Sequence, residues 1–126
     1  MALDTPMLFA ATTDGERARK FYEKVLGLKF VADDRFALVF EVGGLMLRIQ
    51  RVEKKPRLGF TVLGWQVRDI KKEVRRLSAA GVKFCRYEGL NQDEEGVWQS
   101  PGGARIAWFN DPDENILSLT EFPVKK

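Results

Sequence analysis

The chain repeats itself once. Gly27-Leu28-Lys29-Phe30 recurs as Gly81-Val82-Lys83-Phe84, and each copy follows an amphipathic stretch that opens at an aspartate, Asp14 or Asp69. The two offsets agree to within one residue, and each half closes with two apolar, β-rich runs. Two copies at so long a period indicate a duplicated module. They do not indicate a solenoid, which needs at least about three stacked repeats to bury its core. With 126 residues the chain is read as a single domain, 1–126, with one module over about 6–53 and a second over about 58–123.

Local patterns give each module the same outline. Met7 to Thr12 reads as a strand. Asp14 then caps a helix whose apolar positions, Ala18, Phe21, Tyr22, Val25 and Leu26, fall on one helical face. Gly27 sits where a left-handed C-terminal cap is wanted. After an Asp33-Asp34 turn, Arg35 to Val42 reads as a strand; Gly43-Gly44 makes a hairpin turn into the strand Leu45 to Val52. Lys54-Lys55-Pro56-Arg57 is the polar, proline-broken linker. The second half repeats the order: strand Phe60 to Val67, a helix opened by Asp69 and closed by Gly81, then strand Val82 to Tyr87. An acidic, glycine-punctuated insertion follows, Glu88 to Gly96. Val97 to Gln99, Arg105 to Asn110 and Asn115 to Phe122 are the remaining strands. Each half is roughly β-α-β-β-β, and one such unit leaves a sheet face bare, so two must associate. The expected class is α+β: two tandem βαβββ modules whose curled mixed sheets form a cleft.

Composition removes several function classes. Apolar content of 44% and charged content of 31% are ordinary for a globular domain. No apolar run approaches the roughly 20 residues of a membrane span. The start, Met1-Ala2-Leu3-Asp4-Thr5-Pro6, lacks the features of a signal peptide, and the single Cys85 forms no internal disulfide, so a reducing cytoplasm is the expected location. The net charge of +3 gathers at Lys54-Lys55, Lys71-Lys72 and Arg75-Arg76. With no DNA or RNA motif beside them, these read as solvated surface, not as a nucleic-acid contact.

The residues Asp14, Phe21-Tyr22 and Leu26-Gly27, then Asp69, Ala80-Gly81-Val82 and Trp108-Phe109-Asn110-Asp111-Pro112-Asp113-Glu114-Asn115 before Leu117-Ser118-Leu119, resemble the vicinal oxygen chelate superfamily. This is the fold of glyoxalases, bleomycin-resistance proteins and extradiol dioxygenases, and the likeness runs from about Met7 to Phe122. The resemblance implies paired modules around a cleft and, in metal-dependent members, a divalent ion held by four side chains, usually His and Glu. Carried onto this chain, those positions are Met7, Arg48, Val62 and Ser118. Zinc, nickel, iron and manganese want imidazole, thiolate or carboxylate; a guanidinium repels a cation. The chain contains no histidine at all. No metal and no cofactor is therefore expected, and metal-dependent lyase or dioxygenase chemistry loses its Lewis acid. The family turn usually has glycine where this chain has Glu114, which carries strain if the backbone there needs positive φ.

Strand alternation assigns the cleft lining. Met7, Phe9 and Ala11; Met46, Arg48 and Gln50; Val62, Gly64 and Gln66; and Ile116, Ser118 and Thr120 share one face. The opposite parity is strongly apolar. The candidate ligand-binding residues are Met7, Phe9, Arg48, Gln50, Gln66, Ser118 and Thr120, an apolar pocket with a few polar groups, together with Trp98. Two readings stand for Arg48: it grips a carboxylate or phosphate, or it pairs with an acidic neighbour such as Glu41 or Glu121. Two stand for Glu88 to Gly96: a lid that lets Trp98 stack on a ligand, or an edge-covering loop. Trp65 and Trp108 are assigned to the core. Cys85 has no base to activate it.

The leading expectation is a metal-independent protein that binds or sequesters a neutral or anionic small molecule, as a homodimer. It resembles the antibiotic-resistance branch, although cationic bleomycin itself suits a basic protein poorly. The alternative is a glyoxalase-like lyase or dioxygenase with a displaced divalent-metal site built from Glu41, Glu121 or Asp111. A third reading is an interaction domain with a vestigial cleft.

Overall fold

The computed structural model describes residues 3–55 and 57–124; Pro56 of the expected linker, the Met1-Ala2 start and the Lys125-Lys126 end lie outside them. The first module runs β1 (Met7–Thr12), α1 (Gly15–Arg19) with a π-helical continuation (Lys20–Val25), β2 (Lys29–Asp33), β3 (Ala37–Val42) and β4 (Leu45–Arg51). The second runs β5 (Thr61–Gln66), α2 (Ile70–Ala79), β6 (Trp98–Gln99), β7 (Arg105–Asn110) and β8 (Ile116–Glu121). The result is two open, four-stranded mixed sheets, ordered β1-β4-β3-β2 and β5-β8-β7-β6. The pairs β1/β4 and β5/β8 are parallel and the rest antiparallel.

Both helices start where their aspartates place them. Asp14 and Asp69 keep extended backbone and accept from the amides of Arg17 and Lys72, three residues on. Gly27 (φ 78°) and Gly81 (φ 97°) take the left-handed region after each helix, which favours glycine. The first helix departs from regular geometry after Arg19: Leu26 N–H donates to Phe21 O at 2.9 Å, a bond five residues back.

Two strand expectations need correction. The residues before the Asp33-Asp34 turn form their own strand, β2, and the next begins at Ala37, because Arg35 sits at φ 78° in the turn. Asp33 Oδ1 accepts from Arg35 N–H, while Asp34 Oδ1 accepts from Phe36 and Ala37 N–H, which fixes that turn. In the second module Val82 to Tyr87 is no strand; it holds one bridge, Phe84 to Phe109.

Burial alternates along β4 and β7, but β3 is buried on both faces from Ala37 to Phe40, and on β8 Ser118 is buried together with Leu117 and Leu119. Leu47, Ile49, Phe109 and Leu117 are fully buried on the helix-facing sides, and one hydrophobic cluster takes residues from both modules. The first helix joins them. Tyr22 packs 5.9 Å from Phe40 of β3, and Phe21 lies 6.5 Å from Phe109 of β7. Asp113 accepts from Thr12 Oγ1, Thr13 N–H, Thr13 Oγ1 and Arg17 at 2.6–2.9 Å, and Asn115 Nδ2 donates to Ala11 O at 2.7 Å. Among the described residues no helix is long and apolar enough to cross a membrane.

Candidate functional site

The face of the second sheet turned away from the helices carries three aromatic rings. Across β8 and β7, Ser118 stands opposite Trp108 and Thr120 opposite Ile106; Ile106 in turn faces Trp98 on β6. Opposed residues share a face, so Trp98, Trp108, Ser118 and Thr120 lie together. The indoles of Trp98 and Trp108 are 6.2 Å apart and tilted, and Tyr87 meets Trp108 edge-on at 5.4 Å. Trp98 and Trp108 are half-buried, and Tyr87 is 38% exposed. Burial, and then the charge of the neighbouring Cys85 thiol, raise the Tyr87 pKa above 10.0.

This corrects the assignment of Trp108 to the core. Its neighbours Ala107 and Phe109 are fully buried, so Trp108 points the other way. Period-two alternation along β7 places its side chain on the open face. Tyr87 was missed because its segment read as a plain strand. On the same sheet Gly64 pairs with Ser118 and Gln66 with Thr120. A Cβ at Gly64 would lie 2.5 Å from Ser118 Oγ, so the hydroxyl lies close over bare backbone. Gln66, at the end of β5, also borders a cavity on the helix side.

On the first sheet Met7 pairs with Met46, Phe9 with Arg48 and Ala11 with Gln50. Met7 (46%), Phe9 (45%) and Met46 (42%) are open to solvent. Arg48 pairs with an acidic neighbour, though with neither of the two examples: its Nη2 donates to Asp34 Oδ2 at 2.7 Å. That bond, with the amides of Ala37 and Phe36, holds the Asp34 carboxyl below its usual 3.8. The two anticipated partners are engaged otherwise. Glu41 meets Lys29 Nζ at 3.4 Å, and Glu121 Oε1 accepts from Ile70 N–H at the start of α2. The structure thus brings Met7, Phe9, Arg48 and Gln50 together on one sheet. It brings Ser118, Thr120, Trp98 and Gln66 together on the other.

The register makes the four ligand positions of the resemblance equivalent in the two modules. Arg48 faces Phe9 and Ser118 faces Gly64, each two residues beyond Met7 or Val62. The donor set is a thioether, an ion-paired guanidinium, an isopropyl group and a hydroxyl, which does not fit a divalent ion. The displaced alternative gathers no better. Asp111 is buried at the β7–β8 turn, where it accepts from Tyr22, Asp113 and Asn115; Glu41 and Glu121 serve the contacts just described. Among the described residues no group of three or more His, Cys, Asp or Glu side chains is placed to hold a metal.

The acidic insertion is tied to α2. Lys71 Nζ bonds to Asp93 and, at 3.1 Å, to Glu95; Arg75 Nε donates to Glu95 at 3.0 Å. Gln92 Nε2 donates to Cys85 O and Gly96 O, and Asp93 Oδ1 accepts from Glu95 and Val97 N–H. These bonds favour the edge-covering reading over a lid.

Comparison with known proteins agrees with this architecture. The sequence matches the Glyoxalase/Bleomycin resistance protein/Dioxygenase superfamily over residues 5–119. No curated protein matches it. A fosfomycin resistance protein of Listeria monocytogenes superposes with a TM-score of 0.75 at 14% identity, covering 98% of this chain and 97% of that one. A glyoxalase/bleomycin resistance protein/dioxygenase of Alicyclobacillus acidocaldarius gives 0.72 at 20%, covering 95% and 92%. A lactoylglutathione lyase of Agrobacterium tumefaciens gives 0.66 at 20%, covering 94% and 95%. At these identities the structures show the shared fold alone. With its family match spanning nearly the whole sequence, the chain belongs to the glyoxalase/bleomycin resistance protein/dioxygenase superfamily.

Proposed function

We propose that this protein binds or sequesters a flat small molecule, neutral or anionic, without a metal. The observation that carries the reading is the ring cluster of Trp98, Trp108 and Tyr87 beside the hydroxyls of Ser118 and Thr120. Half-exposed indoles offer stacking surface, and adjacent hydroxyls supply the few polar contacts that orient a ligand. Arg48 keeps guanidinium hydrogens beyond the one given to Asp34, so it still meets an acceptor. Its charge is already countered, which tilts the preference toward neutral ligands.

The reading includes a homodimer. The first helix touches the helix-facing sides of both sheets, through Tyr22 on Phe40 and Phe21 on Phe109. The two open faces of one chain therefore turn outward, and a second copy supplies the opposite wall. Exposed Met7, Phe9 and Met46 suit such a cleft.

Among proteins of the same fold are a fosfomycin resistance protein and a lactoylglutathione lyase. The donor set supports binding over a metal-dependent lyase. The test is a thermal-shift and tryptophan-fluorescence screen of planar aromatic compounds, with and without EDTA, alongside elemental analysis. Binding that survives EDTA and is lost in Trp108→Ala supports the proposal. One tightly held divalent ion per chain, with binding that depends on it, would overturn it in favour of the lyase or dioxygenase reading.

A further inference from the structure

The helix side of the second sheet holds a cavity separate from the open faces. It is half-open, and its apolar lining includes Leu26 and Leu28 just after the first helix, Leu77 of α2, and Trp65, Phe109 and Leu119 of the sheet. Its volume is about 170 Å³. An apolar cavity of about 150 Å³ is large enough to take up benzene. The polar groups are confined to Gln66, Glu73 and Arg76. Arg76 Nε donates to Glu73 Oε1 at 3.0 Å, so the two charges cancel.

We infer that this cavity is a second binding site, for a compact neutral aromatic of one ring bearing a hydroxyl or amide. The size matches one ring. The apolar walls favour burying it, at about 25 cal/mol per Å² of apolar surface. The neutral rim gives a polar substituent a partner in Gln66, or in the Glu73 carboxylate, while offering no net charge to an ion. A carboxylate ligand is repelled by Glu73 and an ammonium by Arg76, and either could gain a partner only by breaking the existing pair. The rings of the two proposed sites stand on opposite faces of the sheet, Trp65 toward the helices and Trp98 and Trp108 away from them, and Gln66 at the end of β5 is the one residue named for both.

Trp65 makes the site directly readable. Phenol is titrated into uniformly ¹⁵N-labelled full-length protein, and the three indole N–H resonances are followed, with benzoate and benzylamine as charged controls. The expected result is a saturable shift of the Trp65 resonance with phenol, little response to either ion, and a rise in melting temperature. Leu28→Trp, which fills the mouth, is expected to weaken the response at least about tenfold. Leu77→Met, nearly volume-conserving, guards against misfolding of the first variant and is expected to retain the site with an altered shift. No shift at Trp65, equal response to benzoate, or shifts confined to Trp98 and Trp108 would each overturn the inference. The last of these would leave the open-face proposal standing.

Discussion

Tyr22 donates its phenolic hydrogen to Oδ2 of Asp111 at 2.6 Å, joining the first module's helix to the last turn of the second. Both residues are buried. The same carboxylate accepts from Asp113 N–H, Asn115 N–H and Asn115 Nδ2, so it shapes its own turn while receiving the helix. Burial, and then the Asp111 charge, raise the Tyr22 pKa well above 10.0, so the phenol stays a donor. Removing that hydroxyl in Tyr22→Phe leaves a buried carboxylate one donor short. The expected loss is about 1–3 kcal/mol. It is read from urea unfolding with the m-value unchanged, because the surface exposed on unfolding is the same. A loss within about 0.5 kcal/mol, the range of an ordinary surface change, would show that the bond does not join the modules.

The turn holds two aspartates that titrate in opposite senses. Burial pushes the Asp113 carboxyl up, but Thr12, Thr13 and Arg17 outweigh it, and the pKa falls below 3.8. A depressed folded pKa gives stability that is present above the unfolded value and lost as pH falls through the folded one. Burial raises Asp111 above 3.8 despite the bonds from Tyr22 and Asn115. Its contribution is therefore present below the unfolded value and lost as pH rises through the folded one. Melting temperature measured from about pH 6 to pH 2.5 is expected to fall less steeply in Asp113→Asn, and more steeply in Asp111→Asn, than in the parent. Three parallel curves would rule out both assignments.

Features governed by neighbouring residues were legible in the sequence. Asp14 and Asp69 reach amides three residues away, and Gly27 and Gly81 relieve a local backbone conformation, so each boundary follows from its own few residues. Alternation along β4 and β7 also shows in the sequence, and on β7 it turns Trp108 away from the core; β3 and β8 break the pattern because both faces of each are covered at their centres. What failed depended on distant partners. Val82 to Tyr87 has strand composition and touches β7 through Cys85 N–H to Trp108 O, yet Gln92 takes the Tyr87 N–H and the Cys85 carbonyl. Gln92 Oε1 accepts from Tyr87 N–H and its Nε2 donates to Cys85 O, at 2.7 and 2.9 Å. No propensity sees a side chain from an insertion replacing a neighbouring strand. The Arg48 partner was hidden for a similar reason: Asp34 reaches it from the β2–β3 turn, and only the assembled sheet brings the two together.

Glu114 occupies φ 66°, where the family turn usually has glycine, and its N–H donates to Asp111 O at 3.0 Å. A non-glycine residue held in the left-handed region costs roughly 1–2 kcal/mol. Glycine would remove that cost while adding freedom to the unfolded chain, which offsets part of it. Glu114→Gly is therefore expected to raise stability by up to about 1 kcal/mol in urea unfolding. A destabilised variant would mean that the glutamate side chain holds the turn in a way that outweighs its backbone strain.

Gly64 and Ser118 form the tightest approach on the open face of the second sheet. An added Cβ would lie 2.5 Å from Ser118 Oγ and 3.4 Å from Ser118 O, so Gly64→Ala displaces the hydroxyl before it strains the backbone. Overpacking of this kind costs about 1–3 kcal/mol. Ser118→Ala alone removes only a small hydroxyl, and in the double variant the crowding is relieved, since Ser118 Cβ itself lies 3.8 Å away. A double-mutant cycle in urea is expected to give a favourable coupling of about 0.5–3 kcal/mol, the span found for residues in contact. Coupling near zero would mean that Ser118 rotates freely out of the way. Its hydroxyl would then have no fixed direction on the face it shares with Trp108 and Trp98, and it could not orient a ligand there.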